Sequence, residues 1–121
     1  MGMQLEVTFA AAVPAWPAVA ELVRGRGFVL QMRMIDGELA FPDDVPPDGW
    51  RELRVAAAGA MVTVRRADGG VQLVVWGNAD ADQQQLWRAL AWGFAQVGDG
   101  RVQTEQGPID ADTFAAQIDP A

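Results

Sequence analysis

Sixteen carboxylates and nine arginines carry almost all the reactive chemistry of this chain, because its 121 residues include no Ser, Cys, His, Lys or Tyr. Those five types supply most nucleophiles, most bases that work near neutral pH, the Schiff-base amine and the soft metal ligands. What is left can bind, pair charges, hold a hard cation or run two-carboxylate hydrolysis. The spacing of the acids bears on the last two. Asn78-Ala79-Asp80-Ala81-Asp82 begins like a calcium loop, but Gln83 stands where the sharp-turn glycine belongs and Ala89 where the bidentate glutamate belongs. The run reads instead as a helix start, with Asn78 or Asp80 as the cap and Asp82 against the positive end of the helix. Asp110-Ala111-Asp112 repeats that logic near the end of the chain. No glutamate stands alone in an apolar run where burial would raise its pKa for acid–base work. No catalytic group, metal or cofactor is therefore expected.

The same residue types suit recognition better. Asp43, Asp44 and Asp48 cluster in a proline-rich stretch, which reads as a solvated loop that offers a negative surface. Arginine gives planar, bidentate recognition of carboxylates and phosphates. If Leu53, Val55, Val62 and Val64 point into a core, alternation sends Arg54 and Arg65 to the other face of the sheet, with Gln31, Arg33 and Gln72 beside them. The competing use of these arginines is cross-strand pairing with Glu38 and Glu52. A third candidate is Trp92. At 100° per residue, Leu86, Leu90, Phe94 and Val97 form one stripe of a long helix, and Trp92 falls about 160° away. Arg88, one turn earlier, is placed to stack on its ring. An exposed indole of this kind is a common binding hot spot.

The elements that must position these residues are legible from periodicity and turn chemistry. Gln4–Phe9 alternates as a strand, and Pro17 opens a helix that buries Trp16, Val19, Ala20 and Val23 and ends at Gly25 and Gly27. A strand over Phe28–Asp36 should place Phe28, Leu30, Met32 and Met34 on one side, then turn at Asp36-Gly37 and return to Phe41. Pro42–Trp50 is a loop. Strands follow at Glu52–Ala57, Ala60–Arg66 and Val71–Trp76, then a helix from about Ala79 to Val97 stopped by Gly98. A strand at Arg101–Thr104 and a helical piece near Ala111–Gln117 complete the chain. The order β-α-β-β-β-β-β-α-β-α predicts a single α+β domain over residues 1–121, with a twisted, mainly antiparallel sheet and its helices on one face.

Composition sets the remaining expectations. Half the residues are apolar and the net charge is −7. That charge disfavours nucleic acid as a partner and favours a protein with a basic surface. No run approaches the ~20 apolar residues of a membrane span, the start lacks a basic signal region, and cytoplasmic is the expected location. These readings converge on a noncatalytic bacterial protein that binds another protein, a toxin-neutralising immunity protein being the concrete form. The alternatives are a homo-oligomeric or homodimeric structural domain, a small-ligand-binding domain, and a carboxylate-dependent hydrolase.

Overall fold

The computed structural model describes residues 3–76 and 80–118. Asn78, one of the two expected helix caps, lies outside them. In chain order the elements are β1 (Met3–Thr8), α1 (Trp16–Arg24), β2 (Gln31–Ile35), β3 (Glu38–Leu39), β4 (Glu52–Ala57), β5 (Ala60–Ala67) and β6 (Gly70–Val75). Then come α2 (Ala81–Gly98), β7 (Arg101–Thr104), β8 (Gly107–Asp110) and α3 (Ala111–Ala115). The strands form one antiparallel sheet in the order β3-β2-β4-β5-β6-β1-β7-β8. The α+β class, with helices on one face, is as the sequence implies. β8 is additional: Thr104 pairs with Gly107 and Val102 with Ile109, across a turn that needs Gly107 at φ 102°. Its four residues include Pro108, which cannot donate to a ladder, so its pattern is faint.

Two hairpins rest on paired positive φ angles. Asp36 and Gly37 (φ 51° and 85°) join β2 to β3, and Ala58 and Gly59 (φ 51° and 84°) join β4 to β5. Both are two-residue loops whose backbone twist matches that of the strands. The Asp36 side chain adds a long-range tie, because its Oδ1 accepts from the backbone N–H of Arg51 at 2.7 Å and of Glu52 at 2.9 Å. The turn of one hairpin thereby fixes where β4 begins.

β2 departs from its expected alternation. A bulge between Met32 and Met34 inserts Arg33, so Met32 pairs with Val55 but Met34 pairs with Arg54. Met32 and Ile35 therefore face the core side, while Gln31 and Met34 face the opposite side. Phe28 and Leu30 precede the strand and do not extend it.

One core lies between the sheet and the helices. Leu53, Val55, Val62, Val64, Val71, Leu73, Val75 and Val7 line the sheet side and are all fully buried. Each such aliphatic side chain contributes about 1.5–3 kcal/mol on leaving water. α1 buries Trp16, Val19, Ala20 and Val23, the stripe read from sequence. Trp16 and Trp50 each set a ring about 6 Å from Phe94 of α2, and the Arg66 guanidinium lies over the Trp50 ring at 4.6 Å. α2 starts where Asp80 accepts from the Gln83 N–H at 2.8 Å, with Asp82 in its first turn, and it ends past Gly98 with Asp99 in the left-handed region. Asp110 caps α3 in the same way through the Thr113 N–H.

The tie at Asp36 generates a pH prediction. The backbone N–H groups of Glu52 and then Arg51 hold its carboxyl below the usual carboxylate range. A depressed folded pKa stabilises above the unfolded value, near pH 3.9, and that stabilisation is lost as pH falls through the folded value. Asn tolerates the positive φ and removes only the charge. Asp36→Asn should therefore flatten the loss of stability below about pH 4, seen in urea midpoints measured against pH. An acid limb as steep as that of the unmodified chain would show that this carboxylate does not hold the turn.

Candidate protein-contact surface

The eight residues singled out for recognition fall into three separate places. Trp92 and Arg88 lie on the helix side, Asp43, Asp44 and Asp48 in the long loop, and Arg33, Arg54 and Arg65 on the helix-free face of the sheet.

Trp92 is not exposed. It retains 8 % of its surface, and the cation over its ring is Arg26 at 4.7 Å, not Arg88. The cause is α1. A Cβ built on Gly93 would lie 2.7 Å from Val23 Cγ2 and 3.2 Å from Val19 Cγ1, so α1 is seated directly on the flank of α2 beside Trp92. α3 packs against α2 as well. The helix is consequently buried around most of its circumference, from Leu86 to Ala95 except Arg88, while Val97, expected in the core stripe, is exposed. Arg88 instead donates to Gln84 Oε1 at 3.3 Å. A glycine in the middle of a helix costs about 1 kcal/mol relative to Ala, and Gly93 four residues after Ala89 was the sequence signal for a close helix crossing.

The loop acids do not gather into a site. Asp44 accepts from the Phe41 N–H at 2.8 Å, which closes a turn, and the Asp48 carbonyl accepts from Arg66 Nη2 at 2.8 Å. All three residues are exposed. Among the described residues no group of three or more acids is arranged to hold a metal ion.

The arginines do share a surface. Arg54 and Arg65 alternate with the buried Leu53, Val55, Val62 and Val64, so they project away from the helices. Both reach the same carboxylate: Arg65 Nε donates to Glu52 at 3.1 Å, while Arg54 Nε stands 3.9 Å from it and has no hydrogen-bond partner among the described residues. Glu52 is thus the pairing partner expected from sequence, and Glu38 forms no ion pair among the described residues. Arg65 also lies 5.8 Å from the Trp76 ring centroid, which places that indole on the helix-free side.

The apolar content of this face is what the sequence reading missed. The bulge at Arg33 turns Met34 outward, and β3 adds Leu39 in register with it. Leu39 is 89 % exposed, Phe41 74 %, Trp76 58 % and Met61 41 %. An open trough of about 800 Å³ runs over Ala56, with Leu39 and Phe41 at one wall, Met61 at the other, and Arg33 and Arg54 among them. Thr63, in register between Arg54 and Val74, is buried at 3 % although no helix lies on that side, so its long neighbours cover it.

Such an arrangement presents bulky apolar groups beside the charged side chains of Arg33, Arg54, Arg65 and Glu52. Compared with protein-family models, with curated proteins and with solved structures, the chain matches none. Among the described residues no helix is long and apolar enough to cross a membrane.

The reassignment of Trp92 is directly measurable. Trp92→Ala should destabilise the fold by about 3–5 kcal/mol in chemical denaturation. A change within about 0.5 kcal/mol would return the indole to the surface.

Proposed function

We propose that this chain is a noncatalytic protein-binding protein whose contact surface is the helix-free face of the sheet around Leu39, Phe41, Met61 and Trp76. The observation that carries the reading is the exposure of those four side chains on or beside one uncovered sheet face, next to three arginines. Contiguous exposed apolar surface with a polar rim is the common signature of a protein contact. Trp and Arg are also the residue types that most often dominate such contacts. The absence of Ser, Cys, His, Lys and Tyr supports binding over catalysis. The toxin-neutralising form of this proposal is supported by the net charge of −7, whereas the contact face rests on named side chains.

A photo-crosslinking amino acid at position 61, introduced in cells of the source organism, should give one discrete protein adduct. The same group at position 116, exposed beside α3, should give none. Equal labelling from both positions, or none from position 61, would remove the sheet face as the contact surface.

A further inference from the structure

Resting on the reading of this face as a protein contact, we propose that the trough between Phe41 and Met61 takes a short acidic, aliphatic segment of the partner. Its apolar side chains would fill the trough, and its carboxylates would pair with Arg33 and Arg54. Local charge selects this occupant. Arg33 and Arg54 line the trough and no carboxylate is among its lining residues, while the acids nearby are engaged, Glu52 with Arg65 and Asp44 with the Phe41 N–H. The Arg54 side chain is 40 % exposed and its Nε makes no hydrogen bond among the described residues, and the Arg33 side chain has no hydrogen bond or ion pair to any of them. The chain carries −7 overall, so the lining of the trough has the opposite sign to the molecule. A bound segment answers to the nearer charges, since at physiological salt the screening length is about 8 Å. Carboxylates meet arginine with bidentate geometry, and burying them beside apolar groups strengthens the pairing.

The other occupants fit less well. A second copy packed two-fold through the same patch would set these arginines against themselves. Single-stranded nucleic acid needs aromatic platforms for its bases. Here Phe41 and Trp76 stand about four strand spacings apart, roughly 19 Å, with Met34 and Met61 between them.

A random peptide library displayed on phage, selected against the immobilised chain, identifies the preferred ligand without assuming it. The selected sequences should combine Asp or Glu with Leu, Ile, Met or Phe. A fluorescein-labelled peptide of the selected sequence should bind about tenfold more weakly to Arg54→Gln and to Met61→Asp, each checked for an unchanged melting curve. Its affinity should also fall as salt is raised. Selection of basic sequences, of none, or of peptides indifferent to both substitutions overturns the proposal. So does tighter binding of a labelled single-stranded oligonucleotide, or a dimer in sedimentation that Met61→Asp abolishes. If the peptides fail while position 61 still crosslinks to a protein, the partner chemistry is wrong but the face stands. If both fail, the face is wrong as well.

Discussion

Everything in this fold hangs on how closely α1 can approach α2. Gly93 leaves no side chain at the crossing, and the methyls of Val19 and Val23 occupy the space that a Cβ would take. With α1 seated there, Trp16 reaches Phe94, Arg26 closes over Trp92, and α2 is pressed against the sheet. The Trp87 indole then donates to the Leu73 carbonyl at 2.7 Å, a buried bond that fixes the rotation of α2 over β6. A similar constraint acts within the sheet. A Cβ at Gly70 would collide with the Val7 carbonyl oxygen, so glycine is what lets β6 and β1 pair at that end.

Stacking the helices on each other spends all of them on one side. Three helices share one face, and the eight-stranded sheet keeps its other face open. An open antiparallel face is ordinarily polar, with hydrophobic residues turned inward. Here half of it follows that rule, through Gln4, Glu6, Thr8 and Gln103 on β1 and β7. The other half carries Met34, Leu39 and Met61 among its arginines. That asymmetry has no purpose in packing, since nothing described lies over it, and it is the physical basis for the binding role proposed.

Most of the framework was legible because alternation and turn chemistry are local. β4 and β7 have the bounds read from sequence, the Asp36-Gly37 turn forms as expected, and Arg54 and Arg65 project where alternation sends them. Apart from β8, whose local pattern is faint, the failures are tertiary. A helix wheel finds one stripe and assumes water opposite it, but α2 has neighbours on more than one flank, so Trp92 is packed and Val97 is not. Alternation assumes an unbroken ladder, and the bulge at Arg33 reverses the phase of Met34. That single inserted residue brings Met34, and Leu39 paired with it, onto the arginine-bearing face, where alternation already sends Met61. The acids fared similarly: Asp36 and Asp44 look like free surface charge in sequence, yet both accept backbone hydrogen bonds.

The central claim is that the helix-free face serves recognition and not the fold. Its most direct test is the unfolding free energy of a triple variant, Leu39→Thr, Met61→Thr and Trp76→Thr, which removes most of the exposed apolar surface and keeps strand-forming residues. A contact face contributes little to folding, so the account predicts stability within about 1 kcal/mol of the unmodified chain. A loss of several kcal/mol would mean that these side chains belong to the core, and would contradict it.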